Sequence, residues 1–366
     1  MNVDADHNQQ DLGEESLPAA RDTIRVRNGM TMGTSFRLVL ASDLHARQTS
    51  ALLDIAQDRF DEVDWLMSTY RADSEISRFN ASKSTDWFPV SLQTAKVVSL
   101  ALEISRQTEG AFDLTAAPLV QRWKFAPQQT GADARTASEW PTQAELDALR
   151  KQVGFAHLQV CLEEPALKKD IPDLCVDLAA VAKGFGVDEA ADGLKTQAVQ
   201  NHRLFGFLIE IGGETYAYGH KGVIQDAIVK RWVLGVQKPQ EQSSGIHKKY
   251  LPTDMALATS GGYENFRIVD GKRFSHIIDP RIGCPTDFAD LAASLSGEER
   301  LGSVSVVDAS CAKADALATA LFVLGPEKGL ELAKQNNWAV LFLMVRPDGS
   351  IREIVSPKFA EVEVRL

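Results

Sequence analysis

The sequence predicts an α+β fold, built as a single large domain of mixed sheets packed with helices. Two observations support this prediction. Strand pairs joined by short turns occur beside strand–helix units, a mixture typical of the α+β class. No linker rich in Pro, Gly or Ser divides the 366 residues into independent halves, although this length alone also suits two domains. With 44% apolar and 24% charged residues, the chain has the composition of a globular protein.

Apolar periodicity and turn residues place the individual elements. Alternating apolar residues bounded by turn residues predict strands, and apolar residues at every third or fourth position predict helices. The predicted strands cover 24–27, 35–40, 207–211, 214–218, 231–236, 256–259, 264–269, 303–307 and 338–345, with two more before Asp177. The predicted helices cover 48–68, 91–107, 143–152, 179–195, 310–324 and 326–336. A hairpin turn is expected at Asp270-Gly271, and a polar loop over 238–249.

Two segments are set apart within the chain, whose domain we expect to cover residues 23–366. Residues 1–22 are polar and acidic and predict a disordered N-terminal tail. Residues 126–142 are rich in Gln, Thr, Ala and Pro and predict an exposed insertion. The first twenty residues contain no apolar signal segment, so a cytoplasmic protein and a protein that has lost an export signal are both open.

The acidic balance of the chain argues against some partners. A net charge of −11 and a pI near 5.2 disfavour a nucleic-acid or anionic-membrane binder, which would present a basic face. A small anionic ligand needs only a local positive field. The four cysteines show no C-x-x-C spacing and so do not indicate a zinc or redox site, and whether they pair is open. Sequence signatures of P-loop, dinucleotide-binding, α/β-hydrolase and zinc-protease proteins are absent.

A first candidate site lies where a predicted strand ends at Asp177 and a helix begins. The helix opens with small residues, Ala179 and Ala180, which allow a ligand to approach backbone groups that favour anions. Lys183 follows Asp177 by one and two-thirds helical turns and is placed to reach a phosphate. The alternative is an amphipathic helix whose alanines and glycines pack on a sheet.

A second candidate site is the Ser260-Gly261-Gly262 sequence, directly after a predicted strand. A turn of this composition exposes consecutive backbone N–H groups, which can bind an anion. An ordinary turn is an equally good interpretation.

A third candidate site contains His276 among apolar residues, followed by Asp279-Pro280. This spacing places a titratable pair, His276 and Asp279, at a strand end and its loop. Histidine is the side chain best suited to proton transfer near neutral pH, so the pair is a catalytic candidate. The alternatives are a hydrogen-bonded structural histidine and an aspartate that only forms a turn.

A fourth candidate site lies on the alanine-rich helix predicted at 310–324. Asp315 and Thr319 are four residues apart, so their oxygens project from one face. Two hard oxygen donors on one face suit Mg²⁺ that is bound partly through substrate phosphate. The alternative is an ion pair of Asp315 with a nearby base, with Thr319 bonded to its own helix.

Together, these four stretches resemble the FAD:protein FMN transferase family, the ApbE-type flavin transferases. Other segments similar to this family occur in the same order along the chain: Thr31-Met32-Gly33-Thr34, Met67-Ser68-Thr69-Tyr70, Asp73–Asn80 and Thr108–Thr115. The resemblance runs from about residue 30 to the C-terminus and implies a domain related to the T-fold.

The resemblance implies a reaction and assigns residues to it. Such enzymes use Mg²⁺ to transfer the FMN half of FAD onto a threonine hydroxyl of an acceptor flavoprotein, forming a phosphoester and releasing AMP. His276 matches the residue that deprotonates the acceptor threonine. The positions that match FAD contacts are Met32, Tyr70, Ala111, Phe112, Asp113, Asp177, Lys183 and Ile278, and we add the Ser260-Gly261 turn as a further candidate. The positions that match metal ligands are Ala180, through its carbonyl, Asp315 and Thr319.

Some alternatives stay open beside this resemblance. Tyr70 and Phe112 are expected to stack on the flavin ring, unless they are core aromatics. A Mg²⁺-dependent FAD pyrophosphatase would use water in place of the threonine, and a non-enzymatic FAD carrier would need neither metal nor base. The presence of Asp315, Thr319 and His276 favours an enzyme. Many family members are exported lipoproteins, which implies a cell-envelope location and membrane contact only through such an anchor.

Overall fold

The computed structural model of the protein describes residues 23–123, 140–200, 203–224, 228–239, 245–250, 252, 254–262, 266–269, 272–286 and 299–362. Over these residues the predicted α+β class is confirmed, with one large antiparallel sheet and helices packed against it. The predicted tail at 1–22 lies outside the described residues. So do residues 124–139, which hold most of the predicted insertion.

The described residues form nineteen strands and eight α-helices. The strands are β1 (Thr23–Thr31), β2 (Thr34–Ser42), β3 (Phe88–Pro89), β4 (Leu158–Cys161), β5 (Ala166–Lys169), β6 (Leu204–Ile211), β7 (Glu214–Gly219), β8 (Val223–Ile224), β9 (Ile228–Val229), β10 (Leu234–Gln237), β11 (Ile246–Tyr250), β12 (Met255–Gly261), β13 (Phe266–Val269), β14 (Lys272–Ser275), β15 (Ile278–Asp279), β16 (Cys284–Pro285), β17 (Arg300–Asp308), β18 (Ala339–Val345) and β19 (Ile351–Val355). The helices are α1 (Ala46–Met67), α2 (Glu75–Ala81), α3 (Leu92–Gln107), α4 (Ala117–Trp123), α5 (Gln143–Arg150), α6 (Ala179–Gln200), α7 (Cys311–Gln335) and α8 (Pro357–Val362).

Eight strands form the main sheet, in the order β1-β2-β6-β7-β12-β17-β18-β19. Every neighbouring pair in it is antiparallel. The hairpin of β1 and β2 closes through Met32 and Gly33, whose φ angles are +48° and +74°. Positive φ at both central residues is typical of a type I′ turn, which matches the twist of the two strands. Strand order and hairpin turns therefore place the ends of β2, β6 and β7 side by side.

The two faces of the main sheet are covered differently. Helices α1, α6 and α7 pack on one face, where Leu38, Phe207 and Val306 are fully buried. Burial of one such large side chain contributes roughly 1.5–3 kcal/mol. The opposite face is partly covered by β10, β11 and α8, through residues such as Val236 and Phe359. An open groove of about 710 Å³ lies on that opposite face.

Helices α6 and α7 cross in close contact at Gly184. A Cβ at this position would lie 2.5 Å from the carbonyl oxygen of Cys311, so only glycine allows the crossing. Helix α7 is interrupted at Gly325 (φ +75°, ψ 174°), directly before Pro326. The two helices predicted at 310–324 and 326–336 are thus one element with a break between them, because Gly325 leaves helical geometry and Pro326 has no N–H to donate.

Several sequence predictions need correction. The polar loop predicted over 238–249 contains the start of β11, since Ile246 pairs with Gln237 of β10. The short helices α2, α4 and α8 and the strand β19 were not predicted, because elements of five to seven residues carry too few periodic positions. No helix in the described part of the chain is long and apolar enough to span a membrane.

Candidate active site

Three charged side chains meet where α6 and α7 cross above β7. The Nζ atom of Lys183 lies 2.9 Å from Oε1 of Glu214 and 3.5 Å from Oδ2 of Asp315. Glu214 and Asp315 are 4% and 3% exposed, whereas the side chain of Lys183 is 26% exposed. The cluster therefore combines two buried acids with one base, and the base is the member that solvent reaches most easily.

The environment of this cluster shifts the pKa values of its members. Burial alone would lower the pKa of Lys183, but the carboxylates of Asp315 and Glu214 raise it above its ordinary value. Burial raises the pKa of Glu214 to about 8, against the opposing effect of Lys183. Lys183 is therefore a cation at neutral pH, and the buried site favours the protonated form of Glu214 more than water does.

Glu214 also carries an unsatisfied oxygen. Its Oε2 atom is buried and has no hydrogen-bond partner among the described residues. A buried polar atom left unpaired costs about 1–3 kcal/mol. Such atoms are rare in native structures and are typical of places where a ligand or ion completes the arrangement.

Gly184 connects Asp315 with the first turn of α6. Its N–H group donates to Oδ2 of Asp315 at 3.2 Å. In an α-helix this same N–H group is the partner of the carbonyl four residues earlier, which is that of Ala180. The Ala180 carbonyl therefore shares its donor with Asp315. This contact brings two of the predicted metal-ligating residues, Ala180 and Asp315, to one place.

The third predicted metal-ligating residue, Thr319, lies one turn after Asp315 on α7, so the two side chains are neighbours. Its Oγ1 atom is 3.0 Å from Oγ of Ser260 on β12. The turn predicted at Ser260-Gly261 is wrong, because β12 continues through both residues and pairs them with Val304 and Ser303 of β17. Strand pairing with β17 outweighs the turn preference of this sequence. Ser260 contributes its hydroxyl group to the site, and not the row of exposed backbone N–H groups that a turn would offer.

A second side of the site is built around Asp177. Its Oδ1 atom accepts a hydrogen bond from the Ala179 N–H at 2.9 Å, and its own N–H donates to the Leu114 carbonyl at 2.7 Å. Burial raises the pKa of Asp177. Tyr70 is 74% exposed, and its pKa is raised by partial burial and by the nearby charge of Asp177. An exposed aromatic side chain thus lies close to the start of α6.

The segment preceding α4 is fixed by Asp113. Its Oδ1 atom accepts hydrogen bonds from the N–H and hydroxyl of Thr115 at 2.8 and 2.6 Å, and its Oδ2 accepts from the Phe155 N–H at 2.9 Å. Burial raises the pKa of Asp113. Phe112 is 4% exposed and belongs to the main hydrophobic core. This burial favours the core interpretation over stacking on the flavin ring, and a contact of Phe112 with FAD stays a prediction. Ala111 is also buried.

His276 lies in the two-residue connection between β14 and β15 and is half-buried. Ile278, two residues later, is buried in a small apolar cluster. Asp279 forms a two-bonded ion pair with Arg281, with Nε–Oδ1 and Nη2–Oδ2 distances of 2.9 and 2.7 Å. The side chain of Arg281 in turn lies beside Gly110, which places this loop next to the segment that Asp113 fixes.

Met32 joins the site from the β1–β2 turn. Its Cε atom lies 2.5 Å from the position that a Cβ on Gly186 would occupy, so the side chain packs directly on α6. The absence of a side chain at Gly186 therefore leaves room for Met32, as its absence at Gly184 leaves room for α7.

Sequence reasoning missed Glu214, although a signal was present. Glu214 is the first residue of β7, and Tyr216 lies two positions later on the same face of the strand. Tyr216 is buried against α1 and α6. A charged residue at an inward-facing strand position, next to a Gly212-Gly213 turn, is the pattern that would have marked Glu214 as a candidate.

Comparison with known proteins shows the family of this chain. A sequence profile of the ApbE family matches residues 32–342. The FAD:protein FMN transferase of Vibrio cholerae is 39% identical over 332 residues, which are 91% of this chain and 90% of that protein. The chain belongs to the ApbE family.

Further ApbE proteins show the same similarity. The FAD:protein FMN transferase of Escherichia coli is 33% identical over 338 residues, 92% of this chain and 88% of that protein. The solved flavin transferase ApbE from Vibrio cholerae has a TM-score of 0.76 at 37% identity and covers 93% of this chain and 100% of its own. The flavinyl transferase ApbE of Pseudomonas stutzeri, in its apo form, has a TM-score of 0.74 at 30% identity, covering 94% and 98%. The family, the fold class and the assignment as an enzyme are thereby confirmed.

Proposed function

We propose that this ApbE chain transfers the FMN half of FAD onto a threonine hydroxyl of an acceptor flavoprotein, in a Mg²⁺-dependent reaction that releases AMP. The observation that carries the proposal is the buried cluster of Lys183, Glu214 and Asp315, with Thr319 one turn away. The names of the relatives supply the reaction class. The metal, the threonine and the leaving group are those that the resemblance of the sequence to this family implies, and the oxygen donors of the cluster support the metal.

The residues around the cluster are suited to bind FAD. Lys183 is a permanent cation in an otherwise acidic chain, so its ammonium is the natural partner of the pyrophosphate. Tyr70 is free to cover an aromatic ring of the ligand because three quarters of it is exposed. The remaining FAD contacts that we propose are Met32, Ala111, Phe112, Asp113, Asp177, Ser260 and Ile278, with Gly261 beside them.

The donor set fits a magnesium ion. Asp315, Thr319 and the Ala180 carbonyl all offer hard oxygen atoms, and the unpaired Oε2 of Glu214 is a further acceptor nearby. Among the described residues, no group of three or more His, Cys, Asp or Glu side chains converges. This composition suits an ion that completes its shell with substrate phosphate and water. When bound, Mg²⁺ neutralises charge that develops on the leaving phosphate.

The chain's own residues supply the remaining chemistry. His276 accepts the proton of the threonine hydroxyl, whose oxygen forms a bond to the phosphorus of the FMN half. The bond from that phosphorus to the bridging oxygen breaks, and AMP leaves with this oxygen and takes up a proton. Lys183 keeps positive charge beside the phosphates throughout. Asp279 is held by Arg281, and we assign it the task of fixing the turn after His276.

The test is an incubation of the protein with FAD and Mg²⁺, with and without an acceptor flavoprotein. Transfer predicts an acceptor that carries covalent flavin on a threonine, with one AMP released for each flavin attached. Free FMN and AMP at the same rate without acceptor would instead show an FAD pyrophosphatase. Bound FAD without turnover would show a carrier. Replacing the acceptor threonine by valine is the matched control, because it removes the attacking hydroxyl and nearly preserves the side-chain shape.

A further inference from the structure

We infer that Glu214 is a positioning residue, whose carboxyl group holds the ammonium of Lys183 away from Asp315 and so keeps Asp315 available to a divalent cation. This inference rests on the proposed function, because it takes Asp315 as a ligand of the cation. It assigns a task to a residue that contributes nothing evident to the hydrophobic core and that the reaction scheme above leaves unused.

The distances within the cluster support this role. The 2.9 Å contact of Lys183 with Glu214 is a full charge-assisted hydrogen bond, whereas its 3.5 Å contact with Asp315 is loose. Without Glu214, the flexible lysine would be drawn onto the nearest remaining carboxylate that the structure shows beside it, Asp315. A close ion pair there would compete with the cation for the same oxygen atoms.

The two partners also differ in how firmly they are held. Glu214 is the first residue of β7 and pairs with Ile211 of β6 across a two-residue turn, so its backbone is fixed by the main sheet. Lys183 has a long side chain with four rotatable carbons, and it is partly exposed. The glutamate therefore acts as the anchor, and the lysine is the group that it restrains.

The unpaired oxygen of Glu214 supports the same role. Oε1 is used by Lys183, but Oε2 is buried without a partner among the described residues. A carboxyl group retained only for stability would be expected to satisfy both oxygens, since leaving one unpaired costs free energy. The cost is reasonable where the carboxyl group is kept for its contact with Lys183 rather than for stability.

The experiment measures cation binding directly. Mn²⁺, as a paramagnetic substitute for Mg²⁺, is titrated in the cold into protein saturated with FAD and without acceptor, and free Mn²⁺ is read by electron paramagnetic resonance. We expect Glu214→Ala to weaken Mn²⁺ binding about 10- to 100-fold, the usual effect of losing a group that positions a metal ligand. Glu214→Gln keeps an oxygen that accepts from Lys183 and should bind Mn²⁺ almost as the wild type does.

Two controls separate positioning from other effects. Glu210→Ala removes the same charge from the opposite face of the sheet, where Glu210 lines the groove, and should leave Mn²⁺ binding unchanged. In a Lys183→Met background, Glu214→Ala should cause little further loss, because there is no ammonium left to restrain. If Glu214→Ala does not fold, Glu214→Leu fills the same space and replaces it.

Three results would overturn the inference. Wild-type affinity in both Glu214→Ala and Glu214→Leu would show that Glu214 has no influence on the cation. An equal loss in the presence and absence of Lys183 would show that Glu214 does not act through the lysine. Failure of the wild-type protein to bind Mn²⁺ would remove the cation itself, and with it the metal part of the proposed function, which distinguishes that failure from the other two.

Discussion

Asp188 and Glu214 are two acids beside α7, and they differ in how completely their carboxyl groups are hydrogen-bonded. The carboxylate of Asp188 accepts three hydrogen bonds at the start of α7: from the Ser310 hydroxyl at 2.8 Å, from the Cys311 N–H at 2.7 Å and from the Ala312 N–H at 3.0 Å. Glu214 has one ionic partner and one buried oxygen without a partner among the described residues.

The difference separates a structural acid from a functional one. Asp188 satisfies N–H groups that a helix start leaves unpaired, and its charge faces the positive end of the helix dipole. It therefore stabilises the start of α7 against α6. Glu214 gains little for stability from its surroundings, so its retention is better explained by the ligand site. A buried polar group without a full set of hydrogen bonds lowers stability, and such groups are expected where function requires them.

The largest effect is expected at Asp315. Asp315→Asn keeps the shape of the side chain but removes the charge that the cation needs, so Mg²⁺-dependent transfer should fall by about 10³-fold or more. Transfer rates measured across a Mg²⁺ titration check this. Asp192→Asn, on the exposed surface of α6, is the matched control and should behave as wild type. An Asp315→Asn variant with unchanged Mg²⁺ dependence would remove Asp315 from the metal site.

The next largest effect is expected at His276. If it is the general base, His276→Ala should lower flavin transfer by about 10²–10⁴-fold while FAD affinity and melting temperature stay near wild type. His247→Ala serves as control, since His247 pairs with Glu353 on β19. A structural histidine gives the opposite pattern, with a lower melting temperature and normal transfer per folded molecule. That pattern would make His276 a structural residue, like Asp188, rather than a functional one, like Glu214.

Asp188→Ala should affect stability rather than chemistry. Loss of its three hydrogen bonds leaves the first N–H groups of α7 unpaired, which should lower the free energy of unfolding by about 2–3 kcal/mol. Denaturant titration measures this change. Transfer per folded molecule should stay within a few-fold of wild type, and a loss of activity without a loss of stability would contradict the structural role.

The pH dependence of stability should distinguish the same two acids. Burial raises the pKa of Glu214 from 4.5 to about 8 and that of Asp188 from 3.8 to about 6. A raised pKa means that the folded state favours the protonated acid, so this stabilisation is present at low pH and is lost as pH rises through the folded value.

In metal-free buffer, we compare the melting temperatures of Glu214→Gln and wild type at each pH. The variant's value minus the wild-type value should increase by about 2–4 °C between pH 4.5 and pH 8 and then level off. For Asp188→Asn the corresponding change should be complete by about pH 6. Scanning calorimetry across this range checks both. A difference for Glu214→Gln that does not depend on pH would show that Glu214 does not change its protonation on folding.

The smallest effect is expected at Tyr70. Its exposed ring is proposed to cover part of the ligand, so Tyr70→Ala should weaken FAD binding by about 2- to 10-fold, the contribution of one aromatic pair. Quenching of flavin fluorescence measures the affinity. Trp87→Ala, which removes another exposed aromatic ring, should leave FAD affinity unchanged.

Much of this arrangement could be predicted from the sequence. Helical periodicity placed Lys183 on α6 and placed Asp315 and Thr319 one turn apart on α7, because such spacings are local. Glu214 was not predicted, since its importance comes from the crossing of α6 and α7 above β7, which no local pattern encodes. The Ser260-Gly261 turn was wrong because pairing with β17 outweighs the preference of glycine for turns. The sequence left the role of Phe112 open because a ring in the core and a ring on a ligand have the same local sequence.

The central claim, that Asp188 serves the fold and Glu214 serves the ligand site, is tested most directly by one thermal unfolding measurement. Wild type, Asp188→Ala and Glu214→Ala are each melted without ligand and with saturating FAD and Mg²⁺, which stabilise only a protein that binds them. Asp188→Ala should melt about 3–6 °C below wild type without ligand and keep the full ligand-induced increase. Glu214→Ala should melt close to wild type without ligand and lose the part of that increase that depends on Mg²⁺. The account would be contradicted if Glu214→Ala kept the Mg²⁺-dependent part of the increase and lost stability, as Asp188→Ala is expected to do.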